Sequence, residues 1–368
     1  MVPFALAGRV MAEAVASGVT PCAVAEVGDA RRAIWREASG RLVGGASSPV
    51  ATPDTVFDLA SLTKVLATTS LAMRLADAGA LDLSTPVAGI VPAWRGADRA
   101  DVTVADLLSH ASGLPAHAPL SRSCQTPDAF ERAIGAMPLE YAPRSASVYS
   151  DLGFIVLGFV LERIARSPLD AQFDGMRDAL RGAGDGDPSE ADVGPAEVVF
   201  RPPAAWSHRI APTRPAPELP SVAHDENAAA LGGVAGHAGL FGTAPGVGRL
   251  ARAMLRAVTG AQPGPVLTSP ETARRFVRRT STPGSSRALG WDTMLPTSSC
   301  GTRLSPQAFG HTGFTGTSLW IDPQAGLYFV LLANRVYPHV RDAEGVTAFR
   351  RAFHDAAMAD WALSNRAG

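Results

Sequence analysis

Phe57-Asp58-Leu59-Ala60-Ser61-Leu62-Thr63-Lys64 is the stretch on which the reading of this chain turns. Of the 33 basic residues, Lys64 is the only lysine, and every other one is arginine. A chain that uses arginine for every ordinary surface cation has kept one ammonium where a permanent guanidinium would not serve. Arginine cannot surrender its proton in a protein, whereas a lysine that is buried or beside another cation can be driven neutral and accept one. Ser61 stands three residues before it, and positions i and i+3 share a helix face. Ser-x-x-Lys thus offers a weak nucleophile made usable by an adjacent base. Chance places a serine there about one time in fifteen, so the motif needs company. Val65 to Leu75 is apolar nearly all round and reads as a buried helix running from Ser61 to about Gly79, which supplies its C-cap.

A net charge of -1 argues against an electrostatic nucleic-acid binder. With 46% hydrophobic and 18% charged residues, the 368-residue chain has the composition of a loop-rich globular protein rather than a disordered one. No apolar run has the length of a membrane span. Arg9 interrupts the N-terminal apolar stretch early and no basic region precedes it, so Met1 to Arg9 reads as an amphipathic helix rather than a signal peptide. Cys22, Cys124 and Cys300 are odd in number and widely spaced, as free thiols of a reducing compartment would be. The expectation is a cytoplasmic protein.

Residues 3 to 18 have helical spacing, and 22 to 28 and 31 to 43 read as two strands joined near Gly28. Helices are expected over 102 to 110, opened by Thr103, and over 151 to 166. Residues 181 to 222, with Gly184, Gly186, Pro188, Gly194, Pro202, Pro203, Pro212, Pro217 and Pro220 among their breakers, read as a long irregular connection. A helix follows over 245 to 258. Strands are expected over 288 to 294, 317 to 322 and 327 to 334, the last two joined by a hairpin at 323 to 326, with a closing helix over 346 to 363. The division this suggests is a sheet domain from residues 1–56 and 236–368, with a mainly helical domain, 57–235, inserted.

Two more segments give Ser-x-x-Lys its company. Tyr149-Ser150-Asp151 opens a helix with Ser150 as N-cap, which fixes Tyr149 in position. A phenol near an ammonium is favoured as phenolate and is a candidate general base. In His311-Thr312-Gly313-Phe314, a glycine at a strand edge lets an acyl substrate approach the backbone, and the following N–H can point at a developing oxyanion.

Ser-x-x-Lys, the Tyr149 segment and His-Thr-Gly, in this order and spacing, resemble the serine β-lactamase and penicillin-binding protein superfamily, in particular its class C-like branch with a Tyr-x-Asn second motif. Leu107-Leu108-Ser109-His110-Ala111-Ser112-Gly113-Leu114 is similar to a further segment of that branch, and the likeness runs from about residue 15 to the C-terminus. The resemblance implies an antiparallel sheet flanked by helices beside a helical domain, an α/β (α+β) fold with the site in the cleft between them. It implies an acylated Ser61, Lys64 as base or proton relay, Tyr149 as second base that later activates water, and an oxyanion hole from the N–H groups of Ser61 and Phe314. No metal and no cofactor are implied. The substrate expected is a small ester, amide or muropeptide-like molecule, making this an esterase or a peptidoglycan-fragment amidase or peptidase. The alternatives are a β-lactamase or D-Ala-D-Ala carboxypeptidase, and a non-catalytic binder of cell-wall fragments.

Two positions depart from the pattern. Asp151 replaces asparagine, and a carboxylate cannot donate to a substrate carbonyl but can pair with Lys64 and raise its pKa. His311 replaces a lysine that binds substrate carboxylates, which a histidine does only when protonated. Residues 222 to 241, with His224, Asp225 and His237, resemble a subgroup associated with cell-wall turnover. Their spacing is no standard zinc set, and a hydrogen-bonded loop bracing the cleft explains them better. His110 reads as a brace at a helix end, Tyr141 as packing, His117, His208 and His339 as exposed loop residues, and Cys124 as an exposed bystander thiol.

Overall fold

The computed structural model describes residues 4–43, 45–182, 197–215, 219–261, 264 and 266–366. Its larger sheet has six antiparallel strands in the order β2-β1-β9-β8-β7-β6. These are β1 (Cys22–Asp29), β2 (Ala33–Gly40), β6 (Asp292–Thr293), β7 (Phe309–Thr312), β8 (Ser318–Asp322) and β9 (Leu327–Ala333). A smaller sheet, ordered β3-β5-β4, joins β3 (Phe57–Asp58), β4 (Val198–Phe200) and β5 (Leu240–Gly242).

Period-two alternation sends β1 and β9 into two cores. Ala23, Ala25, Val27, Phe329 and Leu331 pack under α1 (Ala5–Ala16) and the closing helix α10 (Ala343–Arg366). Val24, Val330 and Leu332 pack on the opposite face, against α8 (Ala244–Thr259). A sheet buried on both faces reads as continuous apolar sequence, which Leu327-Tyr328-Phe329-Val330-Leu331-Leu332-Ala333 is. The other helices are α2 (Ser70–Asp77), α3 (Val104–Leu108), α4 (Pro127–Ala136), α5 (Asp151–Ala165), α6 (Leu169–Gly182), α7 (Glu226–Ala230) and α9 (Pro270–Val277). Every residue of α5 from Leu152 to Leu161 is buried, so this helix is the axis of the helical half.

Several elements differ from the sequence reading. The segment 61–79 is not one α-helix: i to i−3 bonds close a turn over 59–64, π-helix follows over Lys64–Thr69, and α2 completes it. The irregular connection contains the end of α6, strand β4 and a 3₁₀ segment, Ala204–Arg209, because Val198-Val199-Phe200 pairs with β5. Gly184, Gly186, Pro188, Gly194 and Pro217 lie outside the described residues. The strand expected over 288–294 shrinks to Asp292–Thr293, while Phe309–Thr312, for which no strand is expected, is one. Cys124 is not exposed: it is 5% accessible and belongs to the main core, and the three thiols are free and buried.

Candidate active site

Three segments converge beside the end of β7: the turn that carries Ser61, the start of α5, and the β7–β8 connection. The turn is over-determined. Ala60 adopts a left-handed φ of 47°, a strained conformation for a residue with a Cβ. Asp58 holds it there, one carboxylate oxygen accepting from the Ala60 N–H at 2.8 Å and the other from the His224 N–H at 2.7 Å. Burial pushes the Asp58 pKa up to about 6. The Thr315 and Thr317 hydroxyls donate to the carbonyls of Asp58 and Leu59, tying the turn to the sheet. Gly313 sits so close that a Cβ there would meet Leu59 O at 2.6 Å, so only glycine allows this approach.

In the 3₁₀-type turn, side chains at i and i+3 eclipse, which explains why Ser61 and Lys64 meet. Lys64 Nζ donates to Ser61 Oγ at 3.0 Å, to Asp151 Oδ1 at 2.7 Å and to the His237 carbonyl at 3.0 Å. Three protons find three acceptors, so the resting group is an ammonium. Burial pushes Lys64 down, but the charge of Asp151, followed by Tyr149, outweighs it and lifts the amine above its ordinary value. The expectation that desolvation drives this lysine neutral fails for that reason, and the Asp151 pairing read from the sequence is present. Burial also works against the Asp151 carboxylate, yet Lys64 and His117 hold its pKa well below the usual range.

Tyr149 lays its ring over the ammonium, 4.9 Å from Nζ to the centroid. Its hydroxyl is buried and has no hydrogen-bond partner among the described residues. His110 braces this segment: its Nδ1 accepts from the Ser150 N–H at 3.0 Å, its carbonyl accepts from Val148 N–H and from the Tyr141 hydroxyl, and its ring packs on Tyr149. The N–H groups of Ser61 and Phe314 are both unpaired among the described residues.

His311, 3% accessible, donates from Nδ1 to the Thr312 carbonyl, and Nε2 has no partner. Burial, then the nearby Arg287 and Lys64, hold its pKa well below the ordinary value. It is a neutral ring, not a stand-in for a cationic lysine. Ser61 lies on the wall between two cavities. One, of 290 Å³, is lined by Tyr149, His311, Thr312 and three arginines that the sequence did not single out, Arg287, Arg335 and Arg350. Arg335 and Arg350 donate to the carbonyls of Phe314 and Gly313, so they buttress that segment. Arg287 rests over the Tyr149 ring, and its guanidinium makes no ion pair or hydrogen bond among the described residues. The other cavity, of 370 Å³, is lined by His117, Asp151, His224, Asp225 and Glu226. Phe314, 52% accessible, lines both, with the Arg335 guanidinium 4.4 Å from its ring centroid and the His224 ring stacked at 5.7 Å.

His237 Nε2 donates to Asp225 Oδ1 at 2.8 Å while its carbonyl accepts from Lys64, so the 222–241 loop braces the cleft as expected. Among the described residues no group of three His, Cys, Asp or Glu side chains has the placement to hold a metal, and no helix is long and apolar enough to cross a membrane.

A hydroxyl eclipsed with a buried amine, a phenol against that amine, and two free N–H groups at a cavity wall define the class: a serine hydrolase of the Ser-x-x-Lys type. The chain belongs to the Beta-lactamase family, whose model matches residues 8–350. It is 31% identical over 320 residues to a Salmonella gallinarum protein named "Putative D-alanyl-D-alanine carboxypeptidase", covering 78% of this chain and 71% of that one. Among solved structures it is similar to EstCE1, described as a hydrolase with promiscuous acyltransferase activity (TM-score 0.74, 23% identity, 96% and 97% of the two chains). It is equally similar to a penicillin-binding protein homologue from Caulobacter crescentus (TM-score 0.74, 21% identity, 96% and 97%). These structures share the β-lactamase and transpeptidase-like fold.

Proposed function

We propose that the protein hydrolyses an ester or amide of a small acyl donor through an acyl-Ser61 intermediate. What carries the reading is Ser61 Oγ at 3.0 Å from a fully buried lysine, on the wall of two cavities. In acylation, Lys64 in its neutral form takes the Ser61 proton as Oγ bonds to the carbonyl carbon. The N–H groups of Ser61 and Phe314 receive the oxyanion, where preorganised donors act most strongly. Tyr149 gives its phenolic proton to the leaving group and is reprotonated by Lys64. Thr312 and Gly313 form the edge along which the acyl group lies.

The substrate is an ester or a peptidoglycan-fragment amide, with a β-lactam or a D-Ala-D-Ala terminus as alternatives. Arg287 favours members of this set that carry a carboxylate: beside Tyr149, its guanidinium makes no ion pair among the described residues. The name of the Salmonella relative agrees with that choice. Comparing kcat/KM over p-nitrophenyl esters, D-alanyl dipeptides, muramyl peptides and nitrocefin tests it. Arg287→Ala is expected to raise KM about tenfold for carboxylate-bearing substrates and to leave neutral esters unchanged. An equal effect on both removes Arg287 from substrate binding.

A further inference from the structure

His117 is the exposed loop residue that the sequence suggests, and it also faces the site. Its Nδ1 lies 3.7 Å from Asp151 Oδ2, on the opposite side of the carboxylate from Lys64, and its side chain is 54% accessible where it lines the cavity that Ser61 also lines. The backbone on either side is pinned. Ala116 O accepts from the Asp151 N–H at 2.9 Å, Pro115 O from the Ser150 hydroxyl at 2.6 Å, and Ala118 O from the Asn227 amide at 2.9 Å. The ring is therefore presented to the cavity by a rigid loop. An imidazole with a carboxylate at Nδ1 keeps its proton there and exposes the Nε2 lone pair.

We propose that the Asp151–His117 pair is the base of the second half-reaction, with His117 Nε2 activating the water that hydrolyses acyl-Ser61. This extends the acyl-Ser61 reading and rests on it. His117 Nε2 takes a proton from water as the water oxygen bonds to the acyl carbon. Collapse breaks the bond to Ser61 Oγ, which takes a proton from Lys64 at 3.0 Å as Lys64 receives one from the imidazolium. That proton passes from the His117 imidazolium through Asp151, which lies against both His117 and Lys64, and leaves Lys64 neutral, as acylation left it. Water and acyl-enzyme become acid and free serine with no net proton change, and Tyr149 is left to the acylation half.

The groups facing His117 are Asp151 at the head of α5 and Asp225 and Glu226 at the head of α7, with His224 on the same cavity wall. The Asp151 contact leads in holding the imidazole above its ordinary value, against partial burial and with help from the other two carboxylates. A positioned general base contributes roughly 10²–10⁴-fold.

Acylation and deacylation are separable with a p-nitrophenyl ester, through the p-nitrophenol burst and the intact mass. In His117→Gln, and in His117→Ala, the burst is expected to persist while deacylation slows at least about 100-fold, so acyl-Ser61 accumulates. Added imidazole restores deacylation in His117→Ala, and the wild-type rise of deacylation with pH through the His117 titration disappears in His117→Gln. Deacylation within twofold of wild type, or equal loss of both steps without rescue, overturns the proposal. Absence of any Ser61 adduct in the wild type overturns the acyl-serine reading itself, and the proposal with it.

Discussion

Replacing Lys64 by arginine keeps the charge and removes the chemistry, because a guanidinium cannot accept the Ser61 proton. The expected loss in acylation rate is about 10²–10⁴-fold, the range for a positioned general base. Asp151 acts in the opposite sense on the same group. Lys64 works when neutral, so activity rises with pH through its pKa, which the Asp151 charge raises. Asp151→Asn leaves burial unopposed by that carboxylate, and the acylation limb of the pH profile is expected to move to lower pH. A limb that stays put removes Asp151 from control of Lys64. Ser61, Lys64 and Tyr149 were legible because a lone lysine stands out in this composition. Arg287, Arg335 and Arg350 were not, since each is one arginine among dozens. His117 carries no sequence signal either: what holds it is a set of backbone bonds from residues 34 and 110 positions further along the chain.

At the level of elements, the site depends on how closely the β7–β8 connection approaches the Ser61 turn. Gly313→Ala forces a Cβ against Leu59 O and Thr317 Oγ1, and overpacking of this kind costs about 1–3 kcal/mol. Tm is expected to fall by several degrees, and kcat to fall with it, because the Phe314 N–H shifts with the backbone. Undiminished activity in a folded Gly313→Ala protein separates Phe314 from the oxyanion hole. The strands with clear alternation or continuous apolar sequence, β1, β8 and β9, were legible. The π-helical start of the Ser61 helix was not, because hydrophobic pattern does not distinguish a wider turn from an α-turn. Strand β4 is three residues beside a Gly/Pro-rich run, and its pairing with β5 is a long-range contact. Cys124 lies among Ser, Arg and Gln, and its burial is decided by the core beneath the loop.

For the molecule as a whole, acid stability is set by buried groups of opposite sense. His110, His311 and His354 are buried and held below their ordinary values, His354 at about 3, chiefly by desolvation. Below about pH 6.5 the unfolded chain binds protons that the folded one refuses, so each removes about 1.4 kcal/mol per pH unit as pH falls. Asp58, raised to about 6, and Glu26, raised by burial, act the other way, since the folded state takes up their protons first. Three histidines oppose two carboxylates, and Asp58 comes into play only below about pH 6. Tm is therefore expected to fall on going from pH 7 to pH 5.5, and a rise would contradict the neutral assignment of His311. The sheet-plus-helices architecture was legible from motif order and strand pattern. The cleft was not, because its walls come from residues 58–64, 115–118, 149–151, 224–237 and 311–314, brought together only by folding.

Intact-mass analysis with peptide mapping after exposure to a fluorophosphonate is the most direct test. The wild type should gain one adduct, on Ser61, while Ser61→Ala gains none and Lys64→Arg gains it far more slowly. An unmodified wild-type protein, or an adduct on any other residue, contradicts the account.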